Sequence, residues 1–188
     1  MVDWSEDAVT WHVVRDTGDA VHWRMIFAKD RFVAVGDANN EGRRRKWSAD
    51  GVLWKDYQQG GDAFWNIAYG NNHFVAVGPR NLRARSLDRV KWESRTDSGN
   101  LGDFSAIAFG DGKFIAFTYI NCVSSSDGDT WSAPLRQTPG GTYGSGFGLG
   151  TSMIVTDKIH ASKTLTTWSP VESTKGASLA HVGFGYLN

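Results

Sequence analysis

The sequence predicts an all-β protein built as a β-propeller, and three observations carry that reading. A short box running from a serine to a tryptophan recurs five times, its serines 37 to 43 residues apart. A second apolar strand-turn-strand pattern lies between the boxes. The composition is rich in turn and aromatic residues, with 22 Gly and 9 Trp against 4 Pro. A period near forty residues matches one propeller blade of four short strands, and frequent Gly with many aromatics suits short strands joined by tight turns.

The box reads S-E-D-A-V-T-W from Ser5 to Trp11 and S-A-D-G-V-L-W from Ser48 to Trp54. It reads S-L-D-R-V-K-W from Ser86 to Trp92, S-S-D-G-D-T-W from Ser125 to Trp131 and S-K-T-L-T-T-W from Ser162 to Trp168. Asp50-Gly51 and Asp127-Gly128 are two-residue turn signals. The serine hydroxyls, with Asp7, Asp50, Asp88 and Asp127, are suited to bonding backbone groups within the turn. The tryptophans fall on the outgoing strand, where they are expected to bury against a neighbouring blade. The box residues are therefore assigned a structural role.

The second pattern is M-I-F-A-K-D-R-F-V-A-V-G from Met25 to Gly36 and I-A-Y-G-N-N-H-F-V-A-V-G from Ile67 to Gly78. It recurs from Ile107 to Phe117 and, in worn form, from Gly146 to Val155. The central Asn, Asp and Gly accept the positive φ that tight hairpins require. Four full units follow, at about 23–56, 65–95, 105–134 and 144–171. Val182–Gly185 matches the first strands of these units, so residues 1–15 and 177–188 are expected to share a composite blade. The single domain 1–188 is then a closed five-bladed ring, which leaves no exposed sheet edge. The composite blade lacks a copy of the second strand.

The box resembles the Asp-box (BNR-type) repeat of sialidase-like propellers, in a shortened S-x-D-G-x-x-W form with one residue fewer between aspartate and glycine. Ala8 and Arg89 replace the glycine in the first and third boxes, and Thr164 replaces the aspartate in the fifth, which puts that turn's bonding in question. The resemblance implies a propeller fold and a setting among phage or bacterial surface proteins. Catalytic sialidase domains are larger rings with an arginine triad, a tyrosine nucleophile and a glutamate, and that set has no residue-by-residue counterpart here.

Charge and motifs narrow the function. Twenty Lys and Arg balance 20 Asp and Glu, so no net field steers nucleic acid to the chain, and none is expected as a partner. No apolar run reaches the roughly 18 residues of a membrane span, and no secretion signal is visible. Cys122 is the sole cysteine, which excludes an internal disulfide. The histidines show no metal-ligand spacing, and no P-loop, G-x-S-x-G or H-E-x-x-H is present. No catalytic residue, metal or cofactor is expected.

Binding residues are sought where the repeats diverge. Blade crossings and the loops between second and third strands are expected to share one face. Trp23, Tyr57 and Trp65 lie on crossings, Arg43, Arg44 and Arg45 in a basic run, and Tyr119 and Asn121 in a loop. Mixed aromatic, amide and charged groups suit a glycan or a protein partner. The loops differ in length and chemistry, which points to one asymmetric surface instead of five equivalent sugar sites. The expected function is a non-catalytic recognition or structural module, with homo-oligomer or virion assembly as a further role. The alternative is a fragment related to glycoside hydrolases or lyases.

Overall fold

The computed structural model describes residues 2–4, 9–10, 12–14, 21–37, 45–56, 63–95, 101–135 and 139–171. Every described element is a strand. A two-stranded hairpin, β1 (Val2–Trp4) with β2 (His12–Val14), comes first. The first sheet runs β3 (Val21–Ala28), β4 (Arg31–Asp37), β5 (Arg45–Ser48) and β6 (Trp54–Asp56). The second runs β7 (Asn66–Gly70), β8 (His73–Val77), β9 (Arg83–Ser86) and β10 (Glu93–Arg95). The third has β11 (Ala106–Gly110), β12 (Lys113–Phe117) and β13 (Cys122–Ser125). The fourth has β14 (Gly144–Gly148), β15 (Thr151–Val155), β16 (Ile159–Ser162) and β17 (Ser169–Pro170). Each sheet is an antiparallel meander in chain order. The first strands β3, β7, β11 and β14 lie against one another in succession, so the sheets are arrayed side by side. The composite blade expected from the sequence requires residues 177–188, which lie outside the described residues.

The third sheet departs from the expected four strands. Pro134 stands where Arg95 pairs with Arg83 in the second sheet, and proline has no N–H to give a ladder. The chain slips by one residue, and Leu135 exchanges both backbone bonds with Cys122 at 2.9 Å. The fourth strand shrinks to that single bridge.

All four hairpins between first and second strands turn through two residues of positive φ: Lys29-Asp30, Asn71-Asn72, Asp111-Gly112 and Leu149-Gly150. That is the left-handed pair whose twist matches the flanking strands. The second strands are sandwiched between neighbouring sheets. Phe74, Val75, Ala76 and Val77 are all fully buried, which is why this segment reads as a continuous apolar run without alternation.

The boxes close the outer hairpins. Ser48 Oγ accepts the N–H of Gly51 (2.9 Å) and donates to Asp50 Oδ1 (2.9 Å). The same carboxylate oxygen accepts the N–H groups of Val52 (2.8 Å) and Leu53 (2.9 Å). Trp54 Nε1 donates to the Gly51 carbonyl. Asp88 and Asp127 repeat the arrangement. Arg89 adopts φ 64° at the glycine position. In the fifth box Ser162 keeps its bonds to Thr164 and Leu165, while Thr164 Oγ1 offers Thr166 N–H only a 3.4 Å contact. The serine half of the turn thus survives there and the carboxylate half does not.

Those backbone N–H groups hold the Asp50, Asp88 and Asp127 carboxyls below the usual range. Depressed carboxyl pKa values contribute stability that is complete above the unfolded value of about 3.9 and is lost as pH falls through the folded values. Thermal unfolding followed from pH 7 down to pH 2 should show a melting temperature that drops below about pH 4. Asp127→Asn should reduce the drop; an equal drop in that variant would remove the box from the acid response.

Three apolar clusters lie at the seams between sheets. At the first seam, Val33 and Val35 of β4 meet Phe64, Ile67 and Phe74, with Trp92 packed on them. At the second, Val75 and Val77 of β8 meet Phe104, Ile107 and Phe114, with Trp131. At the third, Ile115, Phe117 and Cys122 meet Ile154, with Trp168. Trp92, Trp131 and Trp168, each half-buried, therefore pack against the preceding sheet.

The first two seams share a buried arginine. Arg45 is 3% exposed, with its guanidinium carbon 5.3 Å from the Phe64 ring centroid and 5.5 Å from that of Trp92. Arg83 is 1% exposed and lies 5.2 Å from Phe104 and 5.3 Å from Trp131. This corrects the placement of Arg45 in a ligand-binding basic loop. It is a strand residue whose charge stacks on rings inside a seam.

Candidate functional site

The third seam breaks the pattern. Aligned by their strand pairing, Cys122 occupies the position of Arg45 and Arg83, and Thr142 that of Phe64 and Phe104. The two plugging groups of the earlier seams are thus both replaced by small side chains. Phe64 N–H donates to the Gly36 carbonyl and Phe104 N–H to that of Gly78, but Thr142 makes no such bond among the described residues. Thr118 stands where Gly36 and Gly78 stand in the first two sheets.

A cleft of about 350 Å³ opens at this seam. Leu101, Gly102, Asp103 and Ser105 line it from the crossing into the third sheet. Thr118 and Tyr119 come from the β12–β13 loop, and Gly141, Thr142 and Tyr143 from the crossing into the fourth sheet. Crossings and second-to-third-strand loops share this face, as expected: Asn81 N–H donates to the Gly102 carbonyl (2.9 Å), and Arg80 N–H to Asp103 Oδ1 (2.7 Å). The hairpin turns and boxes share another side, where Asn71 Nδ2 donates to the carbonyls of Gly112 and Ser126.

Tyr119 and Tyr143 are 71% and 62% exposed. A Cβ built on Gly141 would come within 3.0 Å of the Tyr119 ring, so a glycine is what lets that ring lie against the crossing. Thr118 is buried and clamps the loop, its N–H donating to the Asn121 carbonyl (2.8 Å) and its hydroxyl accepting the Asn121 N–H (3.1 Å). Among the described residues of the lining, Asp103 is the only acidic one. Cys122 sits beneath the loop with its thiol pushed up to about 11 by burial, which makes it a core group and not a nucleophile.

Of the residues singled out from sequence, Tyr119 lies in the cleft and Asn121 anchors its loop. Trp65 is half-buried at the start of the second sheet, its backbone N–H donating to the Val77 carbonyl (2.8 Å), away from the cleft lining. Trp23 lies in β3 at a bulge, and its side chain is outside the described residues, as are Arg43, Arg44 and Tyr57. Tyr143, Thr142 and Asp103 complete the site. Their signal was divergence from the repeat at crossing positions. A smaller hollow of about 210 Å³ on the box side is lined by His73, Arg85, Asp88 and Glu93 among others. Arg85 is engaged there with Glu93 at 2.9 Å, and Asp88 within its own turn. Among the described residues, no group of three or more His, Cys, Asp and Glu could hold a metal ion.

Side-by-side antiparallel meanders with first strands in mutual contact define a β-propeller, and solved structures agree. The chain is similar to YCF48 bound to D1 peptide, at 19% identity and a TM-score of 0.66 over 88% of this chain and 57% of that one. It is similar to catalytically inactive H270A virginiamycin B lyase from Staphylococcus aureus with quinupristin, at 15% identity and a TM-score of 0.70 over 92% and 62% of the two chains. The WD40 propeller domain of Doa1 matches at 10% identity and a TM-score of 0.63, over 86% and 57%. The chain thus spans 57 to 62% of the length of these structures. No protein-family model and no curated protein sequence matches it.

Proposed function

We propose that this chain is a non-catalytic recognition module that takes a peptide segment of a protein partner into the cleft of the third seam, and that its boxes are a shortened form of the Asp-box repeat. The observation carrying the binding proposal is the loss of both plugs, arginine and phenylalanine, at the seam where two tyrosines stand exposed on either side. Flat aromatic faces give apolar contact at small entropic cost, and the Thr142 hydroxyl and Asp103 carboxylate supply direction. Peptide binding by a propeller of similar fold, YCF48, supports the choice of a peptide over a sugar.

The test is selection of displayed peptides on the folded chain, followed by titration calorimetry with the best binder. Binding near one peptide per chain is expected. Tyr119→Ala and Tyr143→Ala should each weaken it about tenfold, as truncation of a central interface aromatic does. Melting temperatures should hold, since both side chains are exposed. Peptide affinity indifferent to both substitutions would overturn the site. Binding on a glycan array abolished by Tyr119→Ala would replace the peptide by a sugar.

A further inference from the structure

Positive charge gathers at the rim of the first seam, on the box side. Three cations surround one indole there. The guanidinium carbons of Arg31 and Arg89 lie 5.7 and 5.5 Å from the Trp47 ring centroid, and Lys55 Nζ lies 5.0 Å from it. Trp47 faces Val33 and Lys55 across the first sheet, Arg31 precedes Val33 by two residues on the same face, and Arg89 reaches over from the second sheet's box. One indole face can favour a cation, but three positive charges around one ring also repel each other.

No carboxylate relieves them among the described residues. Asp56 pairs with Lys46 at 3.7 Å, and Asp50 and Asp88 are held in their own turns. Arg31 donates to the Asp30 carbonyl (2.6 Å), while the Nε atoms of Arg31 and Arg89 are buried without an acceptor. Packing against Trp47, and not ion pairing, holds these side chains in place.

The next seam shows what the repeat does otherwise. At the positions of Arg31, Trp47 and Lys55 it carries His73, Arg85 and Glu93. Arg85 is neutralised there by Glu93 (2.9 Å) and Asp129 (3.6 Å). The same structural position is therefore balanced in one seam and left cationic in the other.

From this we infer that Arg31, Lys55 and Arg89 form a binding site for a phosphoryl group. A tetrahedral dianion matches two guanidinium forks and an ammonium. The Trp47 ring orders the arginines beforehand, so little side-chain freedom is lost on binding.

Titration calorimetry of the intact chain with inorganic phosphate, in chloride buffers of matched ionic strength, tests the site. One phosphate per chain is expected. Lys55→Gln and Arg89→Gln should each weaken it about tenfold, the effect of one charge-assisted hydrogen bond. Lys113→Gln, at the position of Arg31 in the third sheet, should leave it unchanged. Circular dichroism melts confirm folding of each variant. A phosphoserine peptide titrated in parallel tells a phosphorylated partner from the free ion by which binds tighter. No phosphate binding to the parent chain, or binding as tight in the Lys55 and Arg89 variants as in the parent, would overturn the inference.

Discussion

Replacing Trp131 by alanine is expected to lower the unfolding free energy by about 3–5 kcal/mol, the range for deleting a large aromatic from a packed core. The indole packs on the second-seam cluster of Val75, Val77, Phe104 and Phe114. It also covers one side of the Arg83 guanidinium. Its Nε1 donates to the Gly128 carbonyl at 3.2 Å. Alanine removes the ring and leaves a 1%-exposed arginine beside a cavity, with Phe104 still on its other side. Urea unfolding gives the number. Trp131→Phe, which restores a ring over Arg83, should recover a large share of the loss. A loss below about 1 kcal/mol for alanine would mean that the seam does not depend on this residue.

Gly78→Ala is the second large effect, and its cause is backbone contact. A Cβ at Gly78 would fall 2.3 Å from the Ala63 carbonyl oxygen and 3.3 Å from the Phe64 Cα. Neither is the end of a flexible side chain that swings away. Gly78 is also tied on both sides, its N–H to the Leu82 carbonyl and its carbonyl to the Phe104 N–H, each at 3.0 Å. The strand cannot move off without breaking the bonds that join the second sheet to the third. A loss of about 1–3 kcal/mol is expected, the usual penalty of forcing one methyl into a filled space. Gly112→Ala is the reference, because nothing lies within 4 Å of its Cβ and only its positive φ of 70° opposes the substitution. If added urea unfolds both variants alike, the close approach at Gly78 carries no weight.

The strands and box hairpins could be read from sequence because their causes are local. Asn71-Asn72 and Asp111-Gly112 belong to the residues that tolerate positive φ, and serine with aspartate at the box supplies the acceptors of the turn. Lys29 and Leu149 reach the same backbone state without such a preference; there the pairing of the flanking strands imposes the turn. Arg45 was the opposite case. In a basic run it reads as a solvated residue, since hydropathy counts its charge and not the rings it lies between. Trp92 is far from it in sequence, and only the packing of two sheets brings them together.

The cleft was half visible. Tyr119 stood out as a departure from the repeat, and Tyr143 lay among the divergent crossing residues. What joins them is the substitution of Thr142 and Cys122 for a phenylalanine and an arginine. Recognising that pair requires the crossings to be aligned in space, because their lengths differ. Trp65 shows the limit from the other side, an aromatic on a crossing that serves its own sheet.

The three seam clusters have a consequence for cooperativity. Among the described residues each is assembled from two adjacent sheets, so coupling runs from each sheet to its neighbours. Free energy in such a system is close to a sum of unit terms and nearest-neighbour couplings. The third seam lacks the arginine and the crossing phenylalanine, and its two sheets are joined there through Phe117, Ile154 and Trp168. Whatever enters between Tyr119 and Tyr143 would act as a clasp across it, raising the coupling between the two flanking units and making the array unfold more nearly as one.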